Sequence, residues 1–205
     1  NGVIDFVGDD NYAQNFGDQW SRYPKLQLDS FNGTNISSQR FWEATKWSEG
    51  SLKGKLVLDV GCGTGRFAEI ALKAGAYVIA LDYSKAAKVT ATNLKDYEKL
   101  LCVQGNIYDL PFKKDSFDFV YCLGVLQHTP DVEAAFKSLV PVVKSGGKIC
   151  VDYYWKRLRT VLGWKYPIRI ITSKLNEHTV LSILKAIHPP LYLIAFFLDG
   201  IPKIG

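Results

Sequence analysis

The chain has 205 residues, 47% of them hydrophobic, 22% charged and 13% aromatic. That length holds one domain with an elaboration, and the composition excludes a largely disordered chain. The net charge of +5 is spread out, apart from a cluster between Lys156 and Arg169, so it permits an anionic partner without requiring one.

Residues 1–52 are polar and aromatic, punctuated by Gly2, Gly8, Gly17 and Gly33, and read as an N-terminal cap with short helices around 11–20 and 37–47. Lys55 to Val60 is a short apolar run ending in glycines, as expected of a buried parallel strand. Residues 66–73 are helical, with Phe67, Ile70, Ala71 and Ala74 on one face, and Gly75 supplies the left-handed stop. Residues 77–81 form a second strand ending at Asp82, and Ser84 caps a helix reaching about Lys99. Residues 101–104 and 117–123 are the third and fourth strands. Pro130 and Asp131 open a helix to about Val140. Ser145-Gly146-Gly147 is a turn, and Lys148 to Tyr154 a fifth strand.

Strand and helix alternating at this spacing mean βαβ units, and right-handed crossovers make of them an α/β, Rossmann-like, doubly wound parallel sheet. The expected strand order is 3-2-1-4-5 over a core of residues 53–155, with the ligand outside the carboxyl ends of strands 1 and 4. Residues 156–205 read as a C-terminal helical lid or as an incomplete remainder of the fold. Residues 155–169 mix Trp, Tyr, Lys and Arg and read as a solvated basic face. Residues 180–198 are apolar but carry Lys185, His188, Pro189 and Pro190, which suits two short helices broken at the double proline better than a membrane span.

The four cysteines, Cys62, Cys102, Cys122 and Cys150, form no CxxC pair, so neither a zinc site nor a redox motif is signalled. The last three fall in expected strands, where a free thiol acts as a small hydrophobe; this suits a reducing, cytoplasmic setting. No signal peptide opens the chain, and no methionine occurs in it, so the expectation is a sequence that begins inside a longer gene product or after processing.

Four blocks carry the chemistry. Gly61-Cys62-Gly63-Thr64-Gly65 follows a strand and opens a helix, so bare backbone and free N–H groups are offered to a ligand carboxylate. Its spacing is GxGxG, against the GxGxxG of dinucleotide binders. Asp82 closes the next strand, where a carboxylate accepts from ribose hydroxyls or caps the following helix. Asn106 and Ile107 follow strand 3 and suit an adenine edge and face. Leu123, Gly124 and His128 follow strand 4, beside the glycine turn in the expected order.

The runs VLDVGCGTGRF, ALDYS, GNIYDLPF, SFDFVYCLGVLQHTPD and VKSGGKI, in order over residues 55–150, resemble the class I S-adenosylmethionine-dependent methyltransferases of the ubiquinone/menaquinone-biosynthesis-like group. Tyr12, the run from Phe16 to Trp20 and the HTPD motif resemble an uncharacterised bacterial branch of it. The resemblance implies S-adenosylmethionine as cofactor. It places Asp59, Gly61, Cys62, Gly63 and Gly65 around the methionine part and Asp82 on the ribose. Tyr83 would flank the adenine, Asn106 and Ile107 would hold its edge and face, and Leu123 and Gly124 would pass the reactive end. Relatives often have Asp where Asn106 stands; Asn still accepts from the adenine amino group. The family usually ends in two further strands, one antiparallel, and no convincing pair follows residue 154.

Methyl transfer asks the protein to position the acceptor and exclude water. For a hydroxyl or acidic-carbon acceptor, His128 is the candidate general base, weighed against a histidine that serves the helix entry. The acceptor expected is small or apolar. Nucleic acid is not favoured as a partner, peripheral membrane contact stays open, and the oligomeric state is not read. Two other classes remain: a nicotinamide-dependent oxidoreductase, against which the GxGxG spacing argues, and a non-catalytic S-adenosylmethionine-binding subunit.

Overall fold

A computed structural model describes residues 2–8, 11–153, 168, 172 and 174–199. Its contacts divide the chain into Asn1–Tyr154 and Trp155–Gly205.

In the first unit six strands form one wholly parallel sheet: β1 (Val3–Asp5), β2 (Leu56–Val60), β3 (Tyr77–Asp82), β4 (Leu100–Gln104), β5 (Phe117–Cys122) and β6 (Val143–Val151). Their order is β1-β4-β3-β2-β5-β6. The five expected strands thus stand in the expected 3-2-1-4-5 order, with β1 added outside the third. The central strands alternate between two cores. Val57, Val78, Ala80, Phe119 and Tyr121 face one cluster, and Leu58, Leu81, Val103, Val120 and Cys122 the other. Period-two alternation in strands buried on both faces is why the sequence shows continuous apolar runs there.

Helices cover both faces. α1 (Gln14–Arg22), the single turn α2 (Asp29–Asn32) and α3 (Ile36–Thr45) come from the N-terminal segment. α4 (Arg66–Lys73), α5 (Ala86–Asn93) and α6 (Val132–Leu139) follow β2, β3 and β5. Phe67, Ile70 and Ala71 of α4 are buried in the first cluster, and Ala135 and Leu139 of α6 in the second. Asp131 caps α6, its side chain accepting from the Ala134 N–H at 3.0 Å. The N-terminal segment is part of the first core. Phe41 of α3, with no exposed surface, packs 5.2 Å from Tyr121, 6.0 Å from Phe67 and 6.2 Å from Trp47 between ring centroids.

Four expectations are corrected. The expected N-terminal helices around 11–20 and 37–47 are present as α1 and α3, but the cap is not wholly helical: it opens with β1, whose residues Val3, Ile4 and Asp5 register with Cys102, Val103 and Gln104. A three-residue strand is too short to show a period, and its partner lies far along the chain. α5 stops at Asn93 and does not reach Lys99; the Asn93 amide instead donates to the carbonyls of Pro24 and Thr64, at 2.7 and 2.9 Å. β6 begins at Val143, so Ser145–Gly147 is a bulge inside a strand, between the pairs Phe117–Val143 and Phe119–Lys148.

The fourth concerns the second unit, where α7 (Glu177–Asp199) runs through Pro189 and Pro190 as one helix. Proline's fixed φ is compatible with a helix; the pair removes two backbone donors and crowds the carbonyls one turn back, which weakens the helix at that point without ending it. Among the described residues, no helix is long and apolar enough to cross a membrane. The expected basic face at 155–169 lies outside the described residues, save Ile168.

Gly17 lets α1 approach the start of α5: a Cβ there would sit 3.1 Å from the Lys85 nitrogen and 3.2 Å from the Ser84 Cβ. Gly17→Leu is expected to lower stability by about 1–3 kcal/mol through overpacking, read as a lower urea midpoint with an unchanged slope.

Candidate functional site

The site begins where β2 ends. The chain bends at Gly61, whose N–H and that of Cys62 both donate to the Leu81 carbonyl, at 2.7 and 3.0 Å. Gly61 has φ +79°, and a Cβ on it would lie 2.3 Å from the Val125 Cγ2. Only glycine satisfies both demands, so the loop after β5 rests directly on the bend. Gly65 is the N-cap of α4.

Asp82, at the end of β3, braces the bend. Its Oδ2 accepts the Gly63 N–H at 3.0 Å, and its Oδ1 accepts the Ser84 N–H at 2.9 Å and the Ser84 hydroxyl at 2.7 Å. Burial holds its carboxyl above the ordinary carboxylate value, against the bonds from Ser84 and Gly63 that pull it down. Thr90 contributes from α5: its hydroxyl is 2.9 Å from the Gly63 carbonyl and 3.4 Å from the Cys62 Sγ. Burial pushes the Cys62 thiol well up, so it is not a nucleophile at neutral pH.

Above these strand ends lies a cavity of about 270 Å³. Of the residues expected from the sequence, Gly61, Cys62 and Gly63 line it from the bend, Asp82 and Tyr83 from the end of β3, and Ile107 from the loop after β4. Leu123, Gly124 and His128 line it from the loop after β5. Asp59, Gly65 and Asn106 do not line it. Asn106 turns its Oδ1 to the Tyr108 N–H at 3.0 Å. Asp59 lies under the bend, 2% exposed, with no hydrogen-bond partner for Oδ2 among the described residues. Desolvation raises its carboxyl to about 8, while the hydroxyl of Tyr121, its register partner on β5, draws it back.

The other wall was not foreseen. Tyr12, Phe16 and Trp20, at four-residue spacing, line the cavity from in and before α1. Tyr12 packs 5.0 Å from Tyr83 and Phe16 5.0 Å from His128 between ring centroids. Burial raises the Tyr12 hydroxyl to about 12, so it stays protonated. The aromatic spacing is visible in the sequence, but reading the segment as a cap did not aim it at the bend. Gln27 and Arg40 also reach the cavity. The Arg40 Nη2 lies 3.1 Å from Asp152 Oδ2, and its guanidinium 5.8 Å from the centre of the Phe67 ring. Thr64, 1% exposed, lines the cavity with a hydroxyl that has no partner among the described residues.

The chain is similar to known proteins in sequence and in fold. The family described as a methyltransferase domain matches residues 58–151. A ubiquinone biosynthesis O-methyltransferase of Coxiella burnetii is 31% identical over 146 residues, 68% of this chain and 60% of its own length. One from Vibrio vulnificus is 29% identical over 177 residues, 83% of this chain and 75% of its own length. The chain thus spans 60% of the Coxiella relative. In fold it is similar to a Methanococcus maripaludis protein described as an S-adenosyl-L-methionine-dependent methyltransferase, with a TM-score of 0.57 and 17% identity, over 90% of this chain and 87% of that one.

Because the Asp59 carboxyl stands at about 8 in the folded chain, above its ordinary 3.8, its contribution to stability is complete below pH 4 and is lost as the pH rises through 8. Asp59→Asn is therefore expected to flatten the fall of melting temperature over that window and to raise it by roughly 3 °C or more at the alkaline end. Calorimetry across the pH range checks this; an equal fall in the variant excludes Asp59 as the source.

Proposed function

We propose that this chain, which belongs to the class I S-adenosylmethionine-dependent methyltransferases, transfers a methyl group from that cofactor to a small, largely apolar acceptor. One observation carries the reading: the bare-backbone bend at Gly61–Gly63 and the Asp82 carboxylate meet on a single cavity through the Gly63 N–H.

The residues present fit S-adenosylmethionine. Asp82 keeps acceptor capacity on Oδ2, which takes one protein bond, and would receive the ribose hydroxyls. Tyr83 and Ile107 offer flat and apolar surface for the adenine. The Thr64 hydroxyl and the Arg40 guanidinium would receive the carboxylate of the methionine part. Asp59 and Asn106 would act on the ligand only through the backbone they support.

S-adenosylmethionine supplies a methyl group already activated on a sulfonium, so the chain itself has to orient the acceptor and keep out water. The aromatic wall of Tyr12, Phe16 and Trp20 does the second. His128, on the same cavity, takes the proton of an acceptor hydroxyl at a ring nitrogen. The relatives' name, ubiquinone biosynthesis O-methyltransferase, supports a hydroxyl on an apolar ring as the acceptor group. The free cysteines support a reducing compartment.

Incubation of the full chain with methyl-labelled S-adenosylmethionine and metabolite extract is expected to yield a labelled product; binding of NADH in preference to S-adenosylhomocysteine would refute the reading. Asp82→Ala is expected to weaken S-adenosylhomocysteine by about 10-fold or more, as loss of charged hydrogen bonds does. His128→Ala is expected to lower kcat by about 100-fold, the lower range for a general base, while the Kd for S-adenosylhomocysteine is unchanged.

A further inference from the structure

We propose that Asp152 is a positioning residue that sets Arg40 to receive the carboxylate of the bound ligand, an inference that rests on the methyltransferase reading. Asp152 stands one residue past the end of β6 and does not itself line the cavity, whereas Arg40 and Gly124 do. Its two carboxylate oxygens are divided between these two neighbours. Oδ1 accepts the Gly124 N–H, and Oδ2 meets the Arg40 Nη2 at 3.1 Å. Its own N–H donates to the Cys122 carbonyl at 3.3 Å, so the carboxylate is anchored to the end of β5. One side chain therefore ties α3 to the loop that carries Leu123 and Gly124 along the cavity.

The pair is too exposed to act chiefly on stability. The Arg40 and Asp152 side chains keep 40% and 33% of their surface, and exposed ion pairs add little to folding. Its effect is on geometry. Arginine has a long side chain whose freedom must be lost when it grips an anion, and a carboxylate that already holds one edge of the guanidinium removes part of that loss before the ligand arrives. The Phe67 ring, 5.8 Å from the guanidinium carbon, limits its swing further. With Nη2 held by Asp152, other donors of the planar fork remain for a second anion.

Two ligands separate positioning from general support. S-adenosylhomocysteine carries the carboxylate, and 5′-methylthioadenosine lacks it while keeping the adenosyl group. Calorimetric titration of the full chain is expected to show Asp152→Ala weakening S-adenosylhomocysteine about 10-fold and leaving methylthioadenosine within about 2-fold. Arg40→Ala should give at least that loss, and the double variant no more than Arg40→Ala alone, because Asp152 acts only through Arg40. Asp152→Asn, which keeps a carbonyl oxygen for the Gly124 N–H, is expected to show the same selectivity; it carries the test if alanine unfolds the chain. Equal weakening of both ligands, additive losses, or no loss would overturn the assignment while leaving the methyltransferase reading intact. A wild-type chain that binds neither nucleoside overturns both.

Discussion

The Gly63 N–H and the Asp82 carboxylate join the ends of two adjacent strands, and the rest of the site is arranged around that contact. β2 must stop and reverse into α4 within a few residues, and the Leu81 carbonyl takes two of the N–H groups that the bend frees. The Asp82 carboxylate takes the third. Because β2 and β3 are register partners from Leu56–Tyr77 to Val60–Leu81, the acid arrives beside the bend by sheet geometry alone. The absence of a Cβ at Gly61 then lets Val125 close the other side. Each neighbour is placed by contact with the last, so the cavity is a by-product of how tightly three strand ends are packed.

Asp59 and Asp82 divide two tasks between two carboxylates on neighbouring strands. Asp82 reaches the cavity and is satisfied by three donors, while Asp59 lies beneath, facing Tyr121. Burial acts on both, but only Asp82 has enough bonds to offset much of it. The outcome is an acid that faces the cavity and one that stays protonated under it at neutral pH.

Much of this was legible in the sequence, for reasons that differ by element. β2, β3 and β5 are buried on both faces, so their apolar runs stand out, and the glycines after β2 mark the bend. Strand order follows from handedness once the alternation is seen. Legibility fails where a long-range contact overrides local pattern. β1 is defined by its partner β4 and has no periodicity of its own. Asn93 ends α5 by bonding Pro24 and Thr64, which no local rule anticipates. The Ser145–Gly147 stretch has the composition of a turn but lies as a bulge inside β6, between residues that pair with β5 on either side. At the site, the glycines, Asp82 and the loop after β5 were visible because their chemistry is fixed by residue type. The wall from α1 was not, since Tyr12, Phe16 and Trp20 read equally well as core, and Arg40 as surface.

The closing wall also sets a schedule for synthesis. The Gln104 amide holds the Gly8 carbonyl at 2.8 Å across 96 positions, and Phe41 completes its ring contacts on Tyr121. At the pace of a ribosome, roughly 5–20 residues per second, the start of the chain waits about 5–20 s before its partners emerge. The glycine bend and its first βαβ unit can assemble in the meantime. The aromatic wall gains its ring contact between Phe16 and His128 only once residue 128 has been made, so this side of the pocket cannot close before the loop after β5 exists.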